Sequence, residues 1–223
     1  MAKIKFGMFM TDARGKVGGQ VFSKNRSGAF VRTKVTPTNA QTVRQSYIRN
    51  LLASLSQAWS TLSQSVRDGF DSAVNDWSKT DVFGDIRNPT GKNLFTRLNM
   101  NLENSGQAQV TAVPAKVEVP ILEGTAVTLD VAAWNVAGAS NVAGGVVVIS
   151  ATAPQSQGTK FYKGKYRQIG TVASSAFATY NAKAQYEAKF GVTPLTSNIG
   201  FEFKLIMPNG QNGVPLAIRS VEA

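Results

Sequence analysis

The sequence predicts an α+β fold, in which a basic N-terminal arm with a β-hairpin and a three-helix unit precede an antiparallel β-sandwich. Between about residues 40 and 104, apolar residues recur at helical spacing, whereas strand-like alternation prevails after residue 115. A small, polar stretch that contains Pro114 separates the two patterns. We therefore predict four segments: arm and hairpin at 1–37, helical domain at 38–106, linker at 107–115 and sandwich at 116–223.

The composition argues against several kinds of chemistry. The 223 residues are 43% hydrophobic, which is enough for a core, and they contain neither Cys nor His. Disulfides, thiol catalysis and zinc chemistry are therefore not expected, and we predict no cofactor. Because no apolar run approaches ~18 residues and no signal-peptide core begins the chain, we expect a soluble protein made in the cytoplasm, without a membrane partner.

Positive charge is concentrated at the N-terminus. The net charge is +11, and residues 1–49 hold ten Lys and Arg against one acidic residue, Asp12, which leaves +9 in this part. Such a segment is attracted to polyanions, either nucleic acid or the acidic face of a partner protein. A solvated basic tail without a specific partner is the plainer alternative.

A β-hairpin is predicted within this basic segment. Residues 17–24 and 29–35 form its strands, and the turn between them contains Gly28, which can adopt a positive φ. An isolated hairpin is marginal in water, so it needs a surface to lie on, and residues 1–12 are expected to form an extended arm or a further strand beside it. We predict a partner-binding site made of cations and apolar residues: Lys16, Val21, Phe22, Lys24, Arg26, Phe30, Val31, Arg32 and Lys34.

Three helices are predicted after the hairpin. Thr38 or Asn39 can cap a first helix over residues 40–62, Ser63 interrupts the pattern, and a third helix spans residues 91–104. The apolar stripes of the first two helices consist of Val43, Tyr47, Ile48, Leu51, Leu52, Leu55, Trp59 and Leu62, and of Val66, Phe70, Val74 and Trp77. Such stripes are typical of helices that pack on one another.

Two motifs in this half could indicate chemistry, but neither has the spacing of an established binding loop. The glycine-rich stretch around Lys16 lacks the spacing of a phosphate-binding loop and precedes a strand instead of a helix. Asp76, Asp81 and Asp85 lack calcium-loop spacing, and the sequence leaves open a catalytic carboxylate pair among them. Because neither motif comes with signs of a shaped pocket, we predict that the protein is not an enzyme.

The C-terminal half has the strand count of an immunoglobulin-like sandwich. The candidate strands are residues 116–121, 126–131, 145–152, 160–167, 186–190, 200–207 and 214–221. One of them alternates cations with aromatic residues, namely Lys160, Lys163, Lys165 and Arg167 with Phe161, Tyr162 and Tyr166. Such a strand can stack on nucleic-acid bases, although a solvated strand face is the favoured interpretation.

Several runs of the N-terminal half resemble a group of proteins encoded by tailed bacteriophages and prophages. The runs are GKVGGQVFSKNRSGAFVRTKVTPTNAQT, LSQAW, LSQSVRDGF and DVFGDIRNPTGKNLF. The resemblance is close over residues 13–102 and extends to the C-terminal half in architecture alone, and Phe70 stands where members of the group often have Trp. It implies a virion structural protein and supplies no catalytic residues.

These observations together predict a non-enzymatic structural protein of a tailed-phage virion. The favoured role is an auxiliary (decoration) capsid protein that is made in the host cytoplasm and anchored by its basic arm. Its expected partners are major capsid or other virion proteins, in an assembly of many copies, and the arm could also contact nucleic acid. The alternatives are a head-to-tail connector, ring or tail component, and a DNA-binding or packaging accessory protein.

Overall fold

The computed structural model describes residues 2–129, 134–139, 142–156, 158–159, 161–192 and 197–221. These residues form a mixed α+β structure with antiparallel sheets, which confirms the predicted class. The four α-helices among them are α1 (Val43–Thr61), α2 (Gln64–Ala73), α3 (Gly91–Ser105) and α4 (Lys183–Phe190). None of the described helices has the length and hydropathy that a membrane span requires.

Helix α1 begins three residues later than predicted, because its cap is Thr42. The Thr42 hydroxyl accepts a hydrogen bond from the Gln45 amide at 3.3 Å, and the Gln45 side chain accepts one from the Thr42 amide at 3.4 Å. This reciprocal pair satisfies two backbone donors at the start of the helix. Helix α3 begins at Gly91 as predicted, after Thr90 as its cap.

The three predicted helices share one core. Phe70 and Phe95 meet edge to face with ring centroids 5.5 Å apart, and Trp59 lies 5.7 Å from Phe70. Trp59 is half-buried, and the buried members besides Phe70 and Phe95 are Leu51, Leu55, Trp77, Leu94 and Leu98. Helix α2 ends before Val74 and Trp77 of its predicted stripe, yet Trp77 is still buried in this core. The three-helix unit is therefore confirmed.

The strands of the described residues form two larger sheets and two small ribbons. The N-terminal sheet contains β1 (Ala2–Lys3), β2 (Gly15–Val17), β3 (Gln20–Asn25) and β4 (Gly28–Thr33) in the order β1-β4-β3-β2. The ribbons are β5 (Lys79–Thr80) with β6 (Ile86–Arg87) and β7 (Glu123–Leu129) with β8 (Trp134–Ala139). The C-terminal sheet contains β9 (Val146–Ala151), β10 (Arg167–Ala173), β11 (Asn198–Ile206) and β12 (Leu216–Val221) in the order β10-β9-β11-β12.

The C-terminal sheet carries the second core of the chain. Phe201, Phe203 and Leu205 alternate along β11 on its buried face, as a half-covered strand requires. Trp134, at the start of β8, packs 4.6 Å from the ring of Tyr186 in α4. The β7–β8 ribbon and α4 therefore cover the same face of this sheet.

Some predicted strands of this half are wrong. Residues 186–190 lie in α4, because Lys183–Phe190 is rich in strong helix formers such as Ala, Gln, Glu and Lys. Residues 116–121 and 161–166 are loops and turns, and Lys160 lies outside the described residues, as do residues 130–131 of the second candidate strand. The strands predicted at 145–152, 200–207 and 214–221 are present as β9, β11 and β12. The immunoglobulin-like topology itself stays a prediction.

The helical unit and the C-terminal sheet contact each other directly. A β-carbon at Gly210 would lie 2.7 Å from the backbone oxygen of Leu98 in α3, so the turn after β11 lies against this helix without room for a side chain. Asn101 donates a hydrogen bond to the Gly210 carbonyl at 2.8 Å, and Gln168 donates one to the Asn104 carbonyl at 3.1 Å. Independent folding of the predicted segments stays a prediction.

Candidate partner-binding sheet

The N-terminal sheet is built around the predicted hairpin. Strands β3 and β4 pair from Gln20 opposite Thr33 to Asn25 opposite Gly28, so a two-residue turn joins them. The Asn25 side chain accepts a hydrogen bond from the Ser27 amide at 2.9 Å, and Gly28 has a φ of +101°. The arm adds β1 beside β4, which confirms the expected further strand.

This sheet has no core of its own. Residues 2–42 are all described, and none of their side chains is buried. Val17 of β2 is 69% exposed, although a Val in a strand normally lies on a covered face of its sheet. Val35, two residues after the end of β4, is 64% exposed. The apolar site residues Val21, Phe22, Phe30 and Val31 are half-buried. A sheet that is covered only in part is a surface on which another chain can pack.

The register divides the predicted site residues between two faces, because directly opposite residues of antiparallel strands project to the same side. One face, here called the apolar face, is defined by Ala2, Val31 and Phe22, which lie opposite one another, together with Lys24 two residues along β3. The other, here called the cationic face, is defined by two cross-strand rows: Lys3, Phe30 and Ser23; and Arg32, Val21 and Lys16. The sequence predicted the residues of the site but not this division.

Each apolar residue of the cationic face has a cation beside it. Val21 lies opposite Arg32 on one side and opposite Lys16 on the other, and Phe30 lies opposite Lys3. With strands ~4.8 Å apart, Arg32 and Lys16 are separated by roughly 10 Å across the sheet. Because Lys3 is itself paired with Asp81, the cations left for a partner on this face are Arg32 and Lys16. The row of Arg32, Val21 and Lys16 therefore combines apolar area with positive charge, which suits an acidic partner surface. The remaining site residues lie outside these rows: Arg26 is in the turn, and Lys34 follows β4, its amide bonded to the Gly19 carbonyl at 2.8 Å.

Ion pairs attach the sheet to the region of the ribbon β5–β6. The Lys3 ammonium lies 3.0 Å from the Asp81 carboxylate, and the Lys5 ammonium lies 3.0 Å from that of Asp85. Arg87 contacts both carboxylates at 3.3 Å. Two of the three aspartates among which the sequence left open a catalytic pair thus hold the arm on the ribbon β5–β6.

Asp81 is the centre of this attachment. Its side chain is 6% exposed and accepts hydrogen bonds from the Phe83 amide at 2.8 Å and the Asp85 amide at 3.2 Å. The Lys3 ammonium, followed by the Phe83 amide, holds the pKa of the Asp81 carboxyl far below its ordinary value of 3.8. Asp81 therefore stays ionised at neutral pH and has no proton to donate there.

An apolar turn between β1 and β2 was not singled out from the sequence. The Met10 amide donates a hydrogen bond to the Gly7 carbonyl at 3.2 Å, and this turn leaves Phe9 99% exposed and Met8 88% exposed. The available signal was the run Phe6–Met10, in which glycine interrupts large apolar residues between Lys5 and Asp12. The turn enlarges the apolar surface of the sheet region.

Comparisons of the chain with protein-family models, curated proteins and solved structures gave no match. Within the described ranges, no cluster of three or more acidic side chains is placed to hold a metal ion. The candidate site therefore rests on the geometry and charge of the N-terminal sheet.

Proposed function

We propose that the chain is a non-enzymatic structural protein of a tailed-phage virion, and that it is an auxiliary (decoration) capsid protein attached through its N-terminal sheet. The observation that supports this role is a four-stranded sheet without a single buried side chain among residues 2–42. Selection for the fold alone gives no reason for large apolar residues on both faces of such a sheet. A protein partner that covers these apolar residues gives such a reason.

The proposed partner is a virion protein, most simply the major capsid protein. The cationic face offers Lys16 and Arg32 on either side of Val21, so an acidic coat surface with an apolar patch complements it. Because Phe22 and Phe30 are already half-buried, their complete burial by the partner would contribute less than the ~1.5–3 kcal/mol of a fully exposed side chain. Because salt does not screen this apolar contribution, attachment would persist at high ionic strength.

The C-terminal half is proposed as the displayed module. The β7–β8 ribbon packs over one face of the sheet β9–β12, and this two-layer arrangement supports an immunoglobulin-like sandwich as its finer description. Many copies on a capsid would then present this half to the outside. A head-to-tail connector, ring or tail component would use the same attachment at another place in the particle.

A DNA-binding or packaging accessory protein is the second candidate, and the charge of the arm favours it. Residues 1–49 carry a net charge of +9, and their cations are half-buried or exposed. If phosphates are the partner, six or more neutralised contacts would lower affinity roughly 10³-fold or more between 50 and 200 mM salt. The apolar residues of both faces would contribute little to such binding.

The test separates the two candidates by substituting each face. Phe22→Ala removes the largest side chain of the apolar face, Phe30→Ala removes that of the cationic face, and Lys24→Ala with Arg26→Ala removes charge near the turn. Each variant is measured for incorporation into particles and for binding to duplex DNA at 50 and 200 mM salt. We expect at least one Phe variant to lose incorporation, and a density map of the particle to place the chain on the head.

Three results would contradict the proposal. Loss of DNA binding by the charge variant, with normal incorporation of both Phe variants, would favour the nucleic-acid role. A hydrolytic or transfer activity that Asp85→Ala abolishes in folded protein would make the chain an enzyme. Density at the head-to-tail junction would favour the connector alternative.

A further inference from the structure

A groove lies on the outer face of the C-terminal sheet, where the loop of residues 161–166 folds over β11 and β12. Its volume is about 490 Å³, within the usual range of small-molecule sites. The side chains that line it and bear on binding are Phe161, Tyr162, Lys163, Tyr166, Glu202 and Arg219. This groove contains the aromatic and basic residues that the sequence predicted as a strand.

Tyr162 gives the groove a fixed aromatic wall. Its side chain is buried, and a β-carbon at Gly200 would lie 2.8 Å from its Cδ1, so the ring lies directly on the backbone of β11. The guanidinium carbon of Arg219 lies 4.8 Å from the centre of the same ring. A ring held between a backbone and a cation has little freedom left to lose when a ligand binds.

Phe161, the preceding residue along the chain, is 67% exposed at the same groove. A large apolar ring in this position is in contact with water, although the adjacent Tyr162 shows that this loop can bury an aromatic side chain. Tyr166 is half-buried and lines the groove as well. The groove thus offers aromatic area that a ligand could cover.

The carboxylate of Glu202 decides which class of ligand fits. Glu202 is half-buried and projects from β11 to the outer face, opposite Ala217 of β12. Among the described residues, it has no ion-pair partner within 4.0 Å. Burial raises the pKa of the Tyr166 hydroxyl, and the nearby charge of Glu202 raises it further. The groove therefore contains a negative charge as well as the cations of Lys163 and Arg219.

We propose that this groove binds a sugar ring of a polysaccharide. The C–H face of a pyranose packs against an aromatic ring, and its hydroxyl groups donate to a carboxylate and accept from ammonium and guanidinium groups. Phe161 and Tyr166 supply the aromatic area, Glu202 the acceptor, and Lys163 and Arg219 the donors. A nucleic acid would use the same aromatic residues and cations, but the Glu202 carboxylate repels its phosphates.

The test uses the full chain on an array of glycans that contains hexoses, N-acetylhexosamines and uronic acids, with the single-stranded oligonucleotide dT20 as a second probe. Phe161→Ala should lower the affinity for the bound glycan about tenfold, which corresponds to the loss of a well-placed aromatic contact. Phe83→Ala, at an exposed aromatic residue of the ribbon region, is the matched control and should leave glycan affinity unchanged. Circular dichroism checks that each variant is folded.

Glu202→Gln distinguishes the two ligand classes by the sign of its effect. Gln has the shape of Glu without its charge, so the substitution replaces a charged acceptor with a neutral one. Glycan affinity should therefore fall about tenfold. Binding to dT20 should rise instead, because a repulsive charge is lost. Failure to bind any glycan on the array would overturn the proposal, as would glycan binding that Phe161→Ala leaves unchanged. Tight dT20 binding that weakens steeply with salt, without glycan binding, would make the groove a nucleic-acid site.

Discussion

The N-terminal and C-terminal sheets are both four-stranded and antiparallel, but they differ in what they bury. In the C-terminal sheet, Val147, Ile149, Phe201 and Phe203 are fully buried, and the β7–β8 ribbon and α4 cover them. In the N-terminal sheet, no side chain of residues 2–42 is buried. The C-terminal sheet is therefore stabilised by its own core, and the N-terminal sheet lacks that source of stability.

The difference shows that strand pairing and core formation are separate properties. The N-terminal sheet keeps a regular register from β1 to β2, with backbone hydrogen bonds and cross-strand pairs. Cross-strand pairs contribute about 0.2–1 kcal/mol each, far less than a buried aromatic side chain. Its apolar residues are consequently available to a partner, whereas those of the C-terminal sheet are committed to the fold.

The largest expected effect is the loss of a core side chain from the C-terminal sheet. Phe203 is fully buried and packs 5.3 Å from the ring of Phe177. Phe203→Ala should lower the free energy of unfolding by about 3–5 kcal/mol, because it leaves a cavity in a packed core. Urea unfolding followed by circular dichroism measures this change.

Phe22→Ala is the matched variant in the N-terminal sheet, since Phe22 also lies on an inner strand of a four-stranded sheet. It should lower the free energy of unfolding by less than about 1 kcal/mol, because the substitution removes cross-strand contacts without leaving a buried cavity. Equal losses for the two variants would break the comparison between the sheets.

A smaller effect is expected where the C-terminal sheet contacts the helical unit. Gly210 has a φ of +80°, and a β-carbon there would approach the Leu98 oxygen to 2.7 Å. Gly210→Ala should therefore destabilise the chain by about 1–3 kcal/mol through backbone strain and overpacking. The melting temperature and urea midpoint would both fall.

Gly19→Ala is the control from the N-terminal sheet. Gly19 lies outside the positive-φ region, and a β-carbon there would meet no atom within 4 Å. The free energy of unfolding should change by no more than about 0.5 kcal/mol. A larger cost for Gly19→Ala than for Gly210→Ala would show that the N-terminal sheet is the more tightly packed of the two.

The smallest effect on global stability is expected from the ion pairs that hold the N-terminal sheet. Asp81→Asn should increase amide hydrogen exchange in residues 2–33 and leave β9–β12 protected, because Asp81 joins the arm to β5–β6 through Lys3. Asp76→Asn, at an exposed aspartate outside these ion pairs, should change neither region. Faster exchange throughout the chain after Asp81→Asn would show that the sheet supports the whole fold.

The same attachment has a defined pH dependence. The pKa of the Asp81 carboxyl is depressed in the folded chain, so its contribution is present above the ordinary value of 3.8 and is lost as the pH falls towards the folded value. Protection of the N-terminal sheet should therefore be constant between about pH 5 and 8 and decrease below pH 3.8. Loss of protection near pH 6 would contradict this assignment.

Local sequence determined the elements whose signals are contained in a few neighbouring residues. The hairpin turn, the start of α3 after Thr90 and the strands β9, β11 and β12 follow from turn residues, capping and alternation. Most residues of the candidate site lie on the two adjacent strands of the predicted hairpin, so the hairpin alone brings them close together. Their role in binding a partner stays a prediction. These features depend on interactions within one element or one turn.

Tertiary structure decided the features that depend on distant residues. Tyr186 lies in α4 and donates a hydrogen bond to the Thr152 carbonyl at 2.9 Å. The sequence around Tyr186 did not indicate this partner. The pairing of Asp81 with Lys3 joins residues 78 positions apart, and the groove at Tyr162 requires the absence of a side chain at Gly200. Local pattern predicts where a chain turns and alternates. Which side chains then meet is set by packing between segments that are far apart in sequence.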